Sequence, residues 1–528
     1  MGATTSSTKE SSSLSSSVLT FPLIEEDDDK HQQTPPPQQD DDTSIQITRS
    51  AKLYAFCAAL NSCNLGYDIG VNTGAGILLQ NTLNLSNVQL EAFFGSLNLF
   101  AMIGALSSHL INDKFGRRWS FRVAAMIFIF GTILQAAAYT YVVLMIGRAF
   151  VGLGVGFGLA VDPLYIAEIS PPQHRGRLVN WSEFAINLGI VFGFASGLMF
   201  ATVDESVAWR WMLSLGAILP CFVIYFATFV MPESPRWLVA NERDGDACEV
   251  LKKVYPEGYD VSTIVTEIKD SIEKERIAEH AVGWGVILFP SPAFKRILLV
   301  GMGIAIAQQA VGIDAIQYFL VFILKQSGIK SRITQMWILV GLGLIKMGVV
   351  YFAGRLLDRT GRRPLVFISL IGMSVSFFIV AMSFIGANAS EIGAIVGLAL
   401  YLAFFSIGMG PGTWTIASEV FTTSIRAKAM SLATFANRAT ATIFASSFLS
   451  VADAMTWSGF FIMMTAVCVI ILVWMYIYLP ETKGLSLEDM SHYFAEITGD
   501  ESILEVEGLN RREEVDSRPH DPEQEILL

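Results

Sequence analysis

Asn112-Asp113-Lys114-Phe115-Gly116-Arg117-Arg118 returns half a chain later as Leu357-Asp358-Arg359-Thr360-Gly361-Arg362-Arg363, each copy squeezed between two long apolar runs. A basic turn that recurs between hydrophobic segments reads as two homologous membrane halves in the same orientation. Repeats of this kind build secondary carriers, in which the substrate site lies between the halves.

Composition agrees with a membrane body. The chain is 52% hydrophobic and 16% charged, with 43 glycines in 528 residues, outside the range of ordinary soluble domains. Residues 1–48 hold nine acids against two bases and 480–528 hold fourteen against four. The net charge of −12 therefore comes from the tails, and the body between them is about +5. Acidic tails read as solvated, disordered segments, and no nucleic-acid partner is implied. Cys57, Cys63, Cys221, Cys248 and Cys468 show no metal-ligand spacing and read as small packing residues. No metal cluster, nucleotide loop or nucleophile constellation stands out, so neither an enzyme nor a cofactor is expected.

The N-terminal stretch lacks the basic start and apolar core of a cleavable signal. Twelve runs are long enough to cross a bilayer, which takes ~20 apolar residues each. They lie near 52–73, 91–111, 120–140, 142–167, 181–202, 211–231, 296–324, 335–357, 364–386, 392–416, 428–451 and 458–479. The expected organisation is an N-tail (1–50), a six-helix half (51–231), a linker of amphipathic helices (232–294), a second six-helix half (295–479) and a C-tail (480–528). Basic residues concentrate in alternate loops: Lys114, Arg117, Arg118, Arg175, Arg177, the 232–294 segment, Arg359, Arg362, Arg363, Arg426 and Lys428. The positive-inside rule places those loops, and both termini, in the cytoplasm.

Further motifs accompany the two turns: Pro163-Leu164-Tyr165-Ile166-Ala167-Glu168 leading to Arg175-Gly176, and Pro232-Glu233-Ser234-Pro235-Arg236-Trp237-Leu238. Gln308-Gln309 with Gly312-Ile313, Gly410-Pro411 with Trp414, and Pro480-Glu481-Thr482-Lys483-Gly484 follow in order. Together they resemble the sugar-porter family of the major facilitator superfamily over about residues 52–488. That resemblance implies an all-α membrane protein with twelve transmembrane helices in two six-helix halves and a cytoplasmic helical linker.

The charges of the turns and their neighbours form an expected cytoplasmic gate of Asp113, Arg117, Arg118, Glu168, Arg175, Glu233, Arg236, Asp358, Arg362, Arg363, Glu419, Arg426 and Glu481. Charge-assisted hydrogen bonds among them and to helix ends would lock that side, with topogenic anchoring as the plainer reading. His109 stands where the family usually has Gly four residues before Asp113, while the second copy keeps Gly354. A looser or adapted first latch is therefore expected.

Asp68, in Leu65-Gly66-Tyr67-Asp68-Ile69-Gly70, is a carboxylate inside a span and so a functional site by default. Its natural partner is Arg148, and the resemblance implies a proton-coupling pair; a static buried ion pair is the alternative. By family correspondence the substrate set is Glu183, Asn187, Gln308, Gln309, Asp314, Gln317, Tyr318, Trp414 and Asn437. Amides and carboxylates suit hydroxyl groups, and Trp offers a flat wall to a carbon chain or ring. For any one of them, interhelical hydrogen bonding is the competing role. Glu183 and Asp314 replace the Gln and Asn usual in hexose carriers, and Lys346 puts a cation in the eighth span. An unpaired buried Lys is costly, so Asp314 and Lys346 are expected to form a buried charge pair. Arg438 is a further polar departure. The combination resembles plant polyol/monosaccharide proton symporters, although Val321 and Thr422 stand where the family has Pro.

The implied function is proton-coupled symport of linear polyols or monosaccharides by alternating access, with protons, the small-molecule substrate and the lipid bilayer as partners. A hexose facilitator or vacuolar carrier, and a non-transporting sugar sensor, are the alternatives. Glu523-Gln524-Glu525-Ile526-Leu527-Leu528 fits an acidic dileucine signal for sorting adaptors. The plasma membrane is the expected location, and the vacuolar membrane the alternative.

Overall fold

The computed structural model describes residues 47–507 apart from 257, 282–284 and 386–389. The acidic N-tail up to residue 46, the tail from 508 with its Glu523–Leu528 sequence, and the side chain of Asp358 lie outside the described residues.

The first half consists of α1 (Arg49–Leu83), α2 (Asn87–Phe115), α3 (Arg117–Ala136), α4 (Tyr141–Ile169), α5 (Arg175–Met199) and a sixth span broken into α6 (Glu205–Leu215) and α7 (Ile218–Phe229). Short helices follow, α8 (Pro235–Ala240), α9 (Asp244–Val254), α10 (Val261–Ala281) and α11 (Gly285–Leu288), where the sequence predicts an amphipathic linker. The second half starts with α12 (Pro292–Ala310) and α13 (Ile313–Gln326), then α14 (Arg332–Thr360) and α15 (Arg362–Ser383). It continues through α16 (Glu391–Ile407), α17 (Met409–Val420), α18 (Arg426–Ala445), α19 (Phe448–Met455) and α20 (Trp457–Tyr478), and α21 (Leu487–Thr498) and α22 (Ser502–Glu507) follow it. Asp500, between these last two, accepts the Ala293 N–H at 3.1 Å and ties them to the start of α12.

The fold is the major facilitator architecture of twelve spans. By length and hydropathy alone, ten spans among the described residues qualify as membrane-crossing, and α1 and α18–α19 do not. Their sequences explain it. Asn61, Ser62, Asn64, Asp68, Asn72 and Thr73 on α1 are all buried, as is Asn437 on α18, so both helices spend their polar residues on the interior. The first span also runs to Leu83 rather than ending near 73, and stops where Asn84 turns left-handed at φ 50°.

The seventh span breaks within the Gly312-Ile313 motif. Gly312 takes φ +83° between α12 and α13, a left-handed conformation that costs a residue with Cβ about 1–2 kcal/mol. The tenth span breaks at Gly408, between α16 and α17.

The repeated turns are built alike. Gly116 (φ 88°, ψ 171°) ends α2 and opens α3, and Gly361 (φ 93°, ψ 165°) ends α14 and opens α15. In each, a carboxylate from beyond the sixth or twelfth span covers the start of the next helix. Glu233 accepts the Arg117 N–H at 2.7 Å, and Glu481 accepts those of Arg362 at 3.1 Å and Arg363 at 3.2 Å. The positive helix end favours a carboxylate there.

At the opposite end from these basic turns the halves are joined. Glu91 on α2 accepts the Ser450 N–H at 2.7 Å and its hydroxyl at 2.5 Å. Arg332 donates to the Phe200 and Val203 carbonyls at 3.0 and 3.2 Å, and the Thr73 hydroxyl donates to the Gln317 carbonyl at 2.9 Å. Asn87 reaches Asp453 at 3.0 Å.

Candidate functional site: a buried ion pair beside an interhelical polar cluster

Arg148 on α4 is fully buried, and its Nη1 lies 2.9 and 2.8 Å from the two oxygens of Asp68 on α1. Asn72, one turn on from Asp68, donates to Oδ1 at 3.1 Å. The Arg148 Nε donates to the Phe93 carbonyl at 3.1 Å, and the guanidinium sits 4.6 Å from the Phe93 ring centre. Its Nη2 is buried without a hydrogen-bond partner. The glycines of α4 let α2 and α3 pack closely against it. A Cβ at Gly152 would meet Phe100 Cβ at 2.7 Å, and one at Gly154 the Ala124 carbonyl at 2.9 Å.

The second half contributes an amide cluster. Asn437 on α18 donates to the Ala305 carbonyl at 2.8 Å and to Gln308 Oε1 at 2.9 Å, while Gln308 donates to the Gly410 carbonyl at 3.0 Å. Gln309 lies at 3.5 Å from Asn437 Oδ1, and its own Oε1 is unpartnered. On α5, Asn187 donates to the Glu183 carbonyl at 2.9 Å and leaves its Oδ1 unpartnered. Glu183 is half-buried, as is Trp414 on α17. Unpartnered buried acceptors are costly unless something supplies a donor, and a polyhydroxylated molecule supplies many.

Asp314 and Lys346 do not meet. The Lys346 ammonium takes Gln317 Oε1 at 3.3 Å, whereas Asp314 Oδ2 lies 3.7 Å from Arg438 Nη1. Arg438 also donates to Asn98 of the first half at 3.0 Å. Glu183, Lys346, Arg438 and Asp314 are within electrostatic reach of one another across the halves. The expected pair is thus a distributed set of two acids and two bases, with Arg438 closer to Asp314 than Lys346 is. Tyr318, four residues on from Asp314 in α13, turns toward the first half. Its ring stacks on Phe94 of the first half at 4.9 Å with planes 5° apart, and its hydroxyl is buried and unpartnered.

Of the charges at the basic end, two clusters form. Arg117 holds Glu168 through two nitrogens at 2.9 and 2.8 Å, with Asp113 at 3.9 Å. Arg362 holds Glu419 at 3.2 and 2.9 Å. The first latch is no looser than the second, because His109 is exposed and turns back onto the Leu106 carbonyl at 2.6 Å. Arg118 and Arg363 bond helix-end carbonyls, at Ala227 (2.9 Å) and Tyr476 (3.0 Å). Arg175 and Arg426 donate to the backbone carbonyls of Ala167 and Phe421, and Arg236 pairs with Glu275 of the linker.

Sequence reasoning passed over Asp162, one residue before the quoted Pro163 motif. It is fully buried on α4 against Asn61 and Ser62 of α1. The rule that flags Asp68 applies to it equally.

Two six-helix halves, a buried ion pair and a polar cluster between them define a solute carrier of the major facilitator class. The sequence model of the "Sugar (and other) transporter" family matches residues 54–494, and the chain belongs to that family. It is 38% identical over 467 residues to probable polyol transporter 4 of Arabidopsis thaliana, covering 87% of this chain and 89% of that one. To the glucose transporter GlcP of Staphylococcus epidermidis it is 32% identical, over 84% and 96% of the two chains. Among solved structures, the partially occluded inward-open form of the xylose transporter XylE from E. coli superposes with TM-score 0.71 at 25% identity, covering 82% of this chain and 98% of that one. The proton:xylose symporter XylE bound to 6-bromo-6-deoxy-D-glucose gives 0.69 at 26% identity, over 84% and 98%.

Proposed function

We propose that the protein is a proton-coupled symporter of linear polyols and monosaccharides that works by alternating access. The observation that carries this reading is the Asp68–Arg148 pair, at 2.8 Å and wholly inside the membrane body. An arginine beside a carboxylate holds the charged form; a proton on Asp68 removes that attraction and frees Arg148. Arg148 lies against Phe93 at 4.6 Å and 5.9 Å from the Tyr318 ring, while Tyr318 stacks on Phe94. Release of the guanidinium would therefore loosen the packing of α2 on α13, the helix that follows the Gly312 break.

Substrate hydroxyls would be held by Glu183, Asn187, Gln308, Gln309, Asp314, Gln317 and Asn437, with Trp414 as the apolar wall. The unpartnered oxygens of Asn187 and Gln309 support this assignment. Relatives named as polyol transporters, and the departures at Glu183, Asp314 and Lys346, favour polyols over hexoses. The basic end is cytoplasmic in this reading, by the positive-inside rule, and both termini are there too. The joined opposite end, with Glu183 and Trp414 still partly exposed, fits a conformer open to the cytoplasm. We assign the protein to the plasma membrane, with Glu523–Leu528 as a candidate contact for sorting adaptors.

Uptake of labelled sorbitol, xylose, glucose and inositol into proteoliposomes, with and without an imposed pH gradient, tests the function. Accumulation of polyols above equilibrium only with the gradient is the expected result. Equilibration without accumulation would mark a facilitator, and no uptake of any member a sensor.

A further inference from the structure

Asp162 is a buried carboxylate with hydrogen bonds but no counter-ion. Its Oδ1 accepts from Asn61 Nδ2 at 2.8 Å and its Oδ2 from the Ser62 hydroxyl at 2.6 Å. Among the described residues no Lys, Arg or His nitrogen comes within ion-pair distance of it. Asn64 donates to Asn61 Oδ1 at 3.0 Å, and the Asn64 Oδ1 is buried without a partner. A cavity of about 10 Å³ lies among Asn61, Ser62, Asn64, Gly158 and Asp162, close to the space one water needs. The approach depends on Gly158, since a Cβ there would meet the Asn61 amide at 2.5 Å.

Two neutral donors do not cancel a full negative charge inside a bilayer, where an uncompensated carboxylate is costly. Something must neutralise it. A metal cation would need several oxygens converging on one point, but here the neighbours meet the carboxylate with an N–H and an O–H. A proton fits the donor–acceptor pattern. It turns one oxygen into a donor, and the cavity and the free Asn64 oxygen supply an acceptor, directly or through one water.

Position adds to the chemistry. Asn61, Asn64, Asp68 and Asn72 follow one another at three- and four-residue steps on α1, a single polar face turned to α4. Asp68 is seven residues along from Asn61, about 10 Å at the helical rise of ~1.5 Å per residue. Asp162, eight residues before the start of the 170–174 connection, lies on the basic-end side of the Asp68–Arg148 pair.

We propose that Asp162, held by Asn61 and Ser62, is a second proton-binding site, placed between the basic end and Asp68. The step is simple: its carboxylate takes an excess proton relayed as hydronium through water at the cavity, leaving that water neutral, becomes a neutral acid, and gives the proton back to water or toward Asp68. That Asp162 binds a proton stands independently of the transport reading; only its use in coupling rests on it.

Infrared difference spectroscopy of the purified full chain, between acidic and alkaline buffer, tests this. The wild type should show protonated-carboxyl stretching components, of which one disappears in Asp162→Asn and persists in Asp68→Asn. Ser62→Ala, which keeps the acid but removes a donor, should shift that same component in frequency and guards against a folding failure of the first variant. Spectra of Asp162→Asn and Ser62→Ala that match wild type would overturn the proposal. So would a component that appears or shifts when potassium replaces sodium, which would mark a cation site. Loss of coupling in Asp68→Asn bears on the proposed function alone and leaves this readout intact.

Discussion

Glu183 is the residue through which substrate ranking is expected to change. A carboxylate accepts hydrogen bonds from several hydroxyls of a flexible chain, whereas an amide gives up part of that capacity for donors. One altered hydrogen bond to a charged group is worth ~1.5–3 kcal/mol, so Glu183→Gln should lower sorbitol transport relative to glucose or xylose by roughly ten- to a hundredfold. Competitive uptake of the labelled pair measures it, and an unchanged ranking would remove Glu183 from selectivity. A second expectation concerns its neighbours. Asp314 lies 3.7 Å from Arg438, so Asp314→Asn and Arg438→Gln should be non-additive by about 0.5–3 kcal/mol in transport or melting. Asp314→Asn with Lys346→Asn should come nearer to additivity, since Lys346 turns to Gln317. Sequence spacing could tell that Asp314, Gln317 and Tyr318 share a helix face, but not which neighbour that face meets. Asp68 and Arg148 were legible because a charge in a span has few places to go. Asp162 carried the same signal, one residue outside a motif that drew attention elsewhere.

Helices and their ends followed from sequence wherever a local rule governed them. The two Gly-Arg-Arg turns, the break at Gly312 and the amphipathic linker are cases where glycine conformation or periodicity is decisive. The membrane character of α1 and α18 was harder to score by hydropathy, because both helices carry buried polar residues on the interior. The expected looseness of the first latch failed for a related reason: His109 faces outward, and the substitution never reaches the helix contact. Gly116 gives an element-scale test. It has φ +88°, and a Cβ there would meet the Glu233 carboxylate at 2.5 Å. Gly116→Ala should therefore cost more than the ~1–2 kcal/mol of left-handed strain and lower the melting temperature. Gly348→Ala, in mid-helix with open space around it, should instead gain roughly 0.5–1 kcal/mol. Equal shifts in the two variants, read by thermal denaturation in detergent, would show that the turn does not constrain the fold.

At the scale of the whole molecule, the two halves meet through the Glu91–Ser450, Arg332 and Thr73–Gln317 contacts at one end and carry the Arg117 and Arg362 latches at the other. Between them Phe93, tilted against Phe94, and Phe94, stacked on Tyr318, join the ion pair to the broken seventh span. In the proposed coupling, one proton on Asp68 changes which end is closed. The most direct measurement compares two kinds of transport by Asp68→Asn in proteoliposomes: accumulation driven by a pH gradient, and exchange of labelled for unlabelled substrate at equal concentrations. An amide in place of the carboxylate cannot exchange a proton, so accumulation should vanish while exchange continues. If Asp68→Asn still concentrates substrate with the pH dependence of the wild type, the ion pair is not the coupling site and the account fails.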